Sequence, residues 1–248
     1  MTFDKSYIVE QLLGIPGFVL FLCFRGFMQA WTSRKLGDST AYLQGYMTMN
    51  PTKHINVMGF IFLLLFGFGF SNPVPVNTRN FKNIKRDNAI QILSSPISGI
   101  LLMFVSTFLF YVLWLIGYKC GLSFALPVVY WGDSYSLLSV VATEGTGAIL
   151  MNALLCIMSR TAMVSVLLSV FFLLPLPGFD GYKLIANFLP YRAYSTLYKI
   201  EKYSMFIFIG FLLLINIIPE TYSIVSIPAN FLLSKASFIS FKFVSLFL

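Results

Sequence analysis

Apolar runs near the roughly 17–25 residues that carry a helix across a bilayer recur along this whole chain. In lipid no water can satisfy a free backbone N–H or C=O, so such runs fold as helices that bond internally. The first covers about residues 8–31 and is interrupted by Pro16, Arg25 and Gln29. A short, glycine-rich run follows at 55–70, then one at 90–118 that opens on the polar "SSPIS". Residues 137–175 are too long for one straight span and predict a kinked helix or a re-entrant piece. A further span is expected at 205–218, and the apolar tail after Pro219 reads as a final span or an interfacial helix. With 58% hydrophobic and 10% charged residues over 248 positions, a soluble domain could not bury this much apolar surface.

The net charge of +8 sits mainly in connections. Residues 72–90 hold Arg79, Lys82, Lys85 and Arg86, and residues 177–203 hold Lys183, Arg192, Lys199 and Lys202. Orientation by the positive-inside rule and anionic headgroups account for them, which places both connections on the cytoplasmic side with two crossings between. Nucleic acid is not an expected partner. Cys23, Cys120 and Cys156 lack CxxC spacing and define neither a disulfide framework nor a zinc site. No removable signal peptide is expected at the N-terminus. Residues 38–49, "DSTAYLQGYMTM", alternate in character and predict short strands at the membrane surface, packed on protein or water. The expectation is an all-α polytopic membrane protein of about five to six transmembrane helices with a short membrane-associated β element. It forms a single membrane domain over 1–248.

Within the first span, Arg25 and Gln29 stand four residues apart, on one face of a helix. Three further stretches give that spacing a context. Residues 34–81 carry Leu-Gly-Asp, Gln-Gly, "NPTKHIN", Gly-Phe-Gly and "NPVPVN" in order; residues 94–100 read "SSPISGI"; residues 171–184 read "FFLLPLPGFDGYKL". Together they resemble the site-2 protease family of intramembrane zinc metalloproteases, especially its compact bacterial members. The resemblance covers most of residues 8–190, with a C-terminal span and apolar tail over about 204–248. It implies a core in which an HExxH helix supplies two histidine ligands and a glutamate that activates a zinc-bound water. The aspartate of the Asp-Gly element would supply the third ligand, and zinc would polarise the scissile carbonyl.

The same alignment puts Arg25 and Gln29 at the two histidine positions and Gly26 at the glutamate. Arginine stays protonated in proteins and does not ligate zinc; glycine cannot move a proton. Phe172 and Gly99 replace two asparagines, and Asp180 alone survives from the catalytic set. The only histidine, His54, belongs to the scaffold motif; with Asp180 it is the only candidate metal ligand, short of a three-ligand site. A charge inside a span costs about 2.5–3.5 kcal/mol on insertion scales. Arg25 is therefore expected to snorkel to headgroups or to pair with Asp180 in the vacated zinc site. Glu144 and Arg160 are too far apart in sequence to pair on one helix, and Ser159, Thr161 and Ser165 read as helix-packing hydroxyls.

The leading functional expectation is a pseudoprotease that needs no cofactor and binds a membrane-protein client, a transmembrane helix or other membrane subunits. One alternative is a metalloprotease with substituted zinc ligands, or a protease using a serine; another is a transport or channel component. By resemblance, the expected location is the bacterial inner or plasma membrane.

Overall fold

The computed structural model describes residues 5–66, 71–121 and 146–247. Helix α1 spans Lys5–Lys35, and its last turn carries Arg34 and Lys35, which complement the negative end of the helix dipole. It stops in a Schellman arrangement. Gly37 takes a left-handed φ of 112°, and Asp38 N–H donates back to the Ser33 carbonyl at 2.9 Å. Short helices α2 (Thr40–Leu43) and α3 (Pro51–His54) follow, then α4 (Val57–Phe66). Helix α5 runs Ile84–Lys119 and α6 runs Thr146–Phe172. The chain ends with α7 (Asp180–Phe188), α8 (Tyr194–Glu201), α9 (Ser204–Ile217) and α10 (Pro219–Val244).

The protein is an all-α polytopic membrane protein. Among the described residues, four helical segments are long and apolar enough to cross a bilayer: Gly14–Lys35, Ile84–Lys119, Gly147–Phe172 and Ser223–Phe247. Helices α4 and α9, at 10 and 14 described residues, fall short of a crossing length, so the described spans number fewer than the five to six expected. The run expected over 137–175 yields the long helix α6 from Thr146; its first residues, including Glu144, lie outside the described residues.

The expected β element is corrected: among the described residues there is no strand, and residues 40–43 are a helical turn. The cause is Asp38. Its buried carboxylate accepts from the Thr40 N–H at 3.1 Å and from the Thr40 hydroxyl, and this Asx-type turn favours helix over extension. Gly45, at φ 74°, then reverses the chain. Extended pairing survives only as one antiparallel bridge between Ile55 and Ser71.

The chain divides into two compact units, the first made of residues 1–21, 100–166 and 228–248 and the second of residues 22–99 and 167–227. In the first unit α1 and α6 approach closely at Gly17, where an added Cβ would sit 2.7 Å from Thr161 Cα. The Thr161 hydroxyl donates to the Ile157 carbonyl at 2.7 Å, a packing role rather than a nucleophile's. Rings of α5 and α10 meet at Phe108–Phe243 and Tyr111–Phe241, both with centroids 5.7 Å apart. Cys23 and Cys156 are buried and Cys120 is exposed, none of them in a disulfide.

In the second unit Phe171, Phe172, Phe179 and Phe208 form one aromatic cluster, with Phe171 and Phe179 centroids 5.0 Å apart. Gly181, the second residue of α7, lies directly on the Leu173 and Leu174 carbonyls, so that a Cβ would overlap backbone. This close approach explains why Asp-Gly must be followed as a pair: glycine lets the aspartate-bearing helix start against the end of α6. Gly181→Ala should therefore lower the thermal midpoint of the purified protein, by the order of 1–3 kcal/mol that overpacking costs. An unchanged midpoint would contradict this account of the turn.

Candidate functional site

Arg25 lies on α1, one face inward, and is only 8% exposed. The structure brings it to Asp180, the first residue of α7, with Nη2 to Oδ2 at 2.7 Å. The guanidinium spends its other donors nearby. Nε–H donates to the Ser95 hydroxyl on α5 at 2.5 Å, and Nη1 donates to the Ser71 hydroxyl at 2.6 Å. Ser95 in turn donates to Asp180 Oδ2, closing a three-membered ring of hydrogen bonds. The Phe172 ring lies against the cation, its centroid 4.5 Å from Arg25 Cζ.

Local structure holds each partner in place. Ser95 precedes Pro96, whose missing N–H breaks one rung of α5. Ser94 and Ser98 hydroxyls bond the Gln91 and Ser95 carbonyls, both at 2.6 Å, on either side of that break. Ser71 is fixed by its bridge to Ile55 and by Asn72, whose N–H donates to the His54 carbonyl at 2.8 Å. Asp38 ties the next connection down, accepting from Asn77 N–H and Asn80 Nδ2, both at 2.8 Å. Those bonds hold its carboxyl below the usual range although burial alone would raise it.

Burial would likewise push Asp180 upward, but the Arg25 and Lys183 charges, with hydrogen bonds from Arg25 and Ser95, keep it low and ionised. The pair is thus a buried, charge-assisted ion pair, with Arg25 fixed in orientation by serines on two other segments.

His54 is fully buried, and Nε2 lies 2.8 Å from the Thr48 carbonyl, which makes Nε2 the protonated nitrogen. Its Nδ1 has no hydrogen-bond partner and rests on the Cα of Gly26, where an added Cβ would overlap the ring. Burial and the Arg25 charge hold the ring below its usual pKa despite the Thr48 bond, so it is neutral. Gly26, the position aligned with a catalytic glutamate, is thus filled by an imidazole from α3. Gln29, 6% exposed, lines a cavity of about 720 Å³ together with Arg25, Asp180 and Lys183.

Two relatives are similar to this chain. "Putative zinc metalloprotease YwhC" of Bacillus subtilis (strain 168) is 29% identical over 180 residues, 73% of this chain and 70% of that protein. "Putative zinc metalloprotease Rip2" of Mycolicibacterium smegmatis is 26% identical over 182 residues, 71% of this chain. The chain spans little more than half of that second relative, 57% of its length. No family model matches the chain, and no solved structure gives a significant match. The landmark motifs, the helical architecture and these relatives agree. Together they support a site-2 protease-like family for this chain.

A zinc ion is what that family implies here, and the donor set does not suit one. Arg25 presents a permanent cation where a ligand is required, Gly26 has no side chain, and Asp180 is engaged by two donors. Among the described residues no three His, Cys, Asp or Glu side chains gather in a group that could hold a metal. The site-2 protease-like framework keeps Asp180 and its Asp-Gly turn while the aligned HExxH positions carry other chemistry.

Ser71, Ser95 and Phe172 were not singled out as partners of Arg25, yet each lies in a quoted motif stretch. Their signal was the polar "SSPIS" opening an otherwise apolar helix and a serine just before "NPVPVN". Arg160 lies on α6 in the other unit. Removing one partner of a buried ion pair leaves the other uncompensated, at about 3–5 kcal/mol. Arg25→Met should therefore destabilise the protein by about that amount, and the double variant Arg25→Met with Asp180→Leu should recover most of it. Equal loss in single and double variants, measured by thermal melting in one detergent, would contradict a coupled pair.

Proposed function

We propose that this protein is a pseudoprotease, a non-catalytic member of the site-2 protease-like family that engages a membrane-protein partner without cutting it. The observation that carries this reading is the Arg25 guanidinium bonded to Asp180, Ser95 and Ser71. A cation with all these donors committed supplies neither a metal ligand nor a general base. The retained framework of turns would position a partner's transmembrane segment, and the bacterial inner or plasma membrane is the proposed location.

A second reading, a zinc protease with substituted ligands, is favoured by the relatives' names. Zinc content separates the two. The native protein, purified in detergent, should contain far less than one zinc per chain by elemental analysis. The variant Arg25→His, Gly26→Glu, Gln29→His should include His54→Ala, because a side chain at position 26 needs the space that the imidazole fills. That variant should bind about one zinc per chain. Stoichiometric zinc in the native protein would overturn the pseudoprotease reading in favour of the second.

A further inference from the structure

The cavity beside Arg25 holds more hydrogen-bonding capacity than the Arg25 network uses. Gln29 from α1 and Gln91 from α5 are 6% and 5% exposed, and both line it. Neither side-chain carboxamide has a hydrogen-bond partner among the described residues. Neither amide is sealed in protein; both open onto the cavity, and two unpartnered amides on one cavity offer a ligand paired hydrogen-bonding groups. The chance that both are merely bystanders of the ion pair falls because they come from different helices.

Charge narrows the ligand. Among the lining residues two cations, Arg25 and Lys183, stand against one anion, Asp180. Arg25 and Asp180 neutralise each other at 2.7 Å, and Lys183 makes no ion pair within 4.0 Å among the described residues. The charged lining residues therefore sum to one net positive charge, with Lys183 exposed and also attracted by Asp180 and Glu201, which disfavours a metal cation and leaves a neutral peptide without a match for that net charge. Polarity divides the rest of the wall. Phe172, Phe179 and Phe208, with Ile92 and Met205, offer an apolar surface continuous with the aromatic cluster.

We infer that this cavity binds a monoanionic amphiphile, with Lys183 as counter-charge, the Gln29 and Gln91 amides donating to the oxyanion head, and the Phe172–Phe179–Phe208 wall taking the upper hydrocarbon chain. A volume of about 720 Å³ holds a fatty carboxylate or the phosphodiester head and upper chain of a lipid, within the range of ordinary ligand sites. The inference rests on the pseudoprotease reading in one respect: Arg25, not a metal, must hold Asp180.

Delipidated full-length protein in detergent, titrated separately with phosphatidylglycerol, oleate, phosphatidylcholine and inorganic phosphate, tests it by native mass spectrometry. Phosphatidylglycerol or oleate should bind with about one saturable site per chain, and which of them binds identifies the head as phosphodiester or carboxylate. Lys183→Leu and Gln91→Leu should each weaken that binding roughly tenfold or more, as expected for hydrogen bonds to a charged group. Gln91→Glu, which keeps the side chain's shape, should abolish it, while Arg192→Leu outside the cavity should leave it unchanged. Equal binding of phosphatidylcholine, binding of phosphate without either amphiphile, or an equal loss with Arg192→Leu would overturn the inference. Zinc measured on the same preparation keeps the two readings apart. A zinc-loaded protein defeats the pseudoprotease reading, whereas a metal-free protein whose lipid binding ignores Gln91 and Lys183 defeats only this one.

Discussion

The contact between Arg25 and Asp180 is what the rest of the second unit is arranged around. Asp180 opens α7, Arg25 sits inside α1, Ser95 inside α5 and Ser71 in the connection after α4, so a ring of three hydrogen bonds and a fourth bond branching from Arg25 to Ser71 join four separate parts of the chain. A carboxylate this deeply buried needs a counter-charge, because desolvating it alone would cost several kcal/mol, on the order of the penalty for any isolated buried ion. Arginine meets that need with several directed donors, so it orients its neighbours as well as neutralising one. Phe172 completes the enclosure by covering the cation with a ring face.

The same logic connects Gly26 and His54. In a helix that presents a metal-activating glutamate, position 26 needs space above its Cα; here that space is filled by a neutral, fully buried imidazole. Two features of this site are unlike an HExxH arrangement. A guanidinium occupies the aspartate's coordination side, and a histidine from the α3 turn packs into the gap beside Gly26. A side chain placed at position 26 alone would overlap the His54 ring. The retained parts, namely the Schellman end of α1, the Asp38 hub and the glycine that lets α7 meet the end of α6, serve packing and turn geometry whatever chemistry the centre supports.

Much of this was legible in the sequence, and the reasons are physical. Helices at the apolar runs follow from length and hydropathy alone, and the pairing of residues 25 and 180 could be anticipated because the resemblance puts both positions around one zinc and a buried charge demands a partner. The strands expected over 38–49 did not form because alternation is a weak signal beside a local carboxylate that bonds the backbone two residues on, as Asp38 does with Thr40. Ser71 and Ser95 were harder to assign, since a serine in an apolar helix more often bonds its own backbone, as Ser94 and Ser98 do. The filling of Gly26 by His54 could not be read from sequence at all: it depends on a contact between α1 and α3 that no spacing encodes.

If a guanidinium rather than a metal holds Asp180, a structure of the protein soaked in zinc, with anomalous data collected at the zinc edge, should show it. Continuous density between Arg25 and Asp180 and no anomalous peak beside that carboxylate are expected. A zinc peak bound to Asp180, with Arg25 turned away from it, would overturn the ion pair as the occupant of this site.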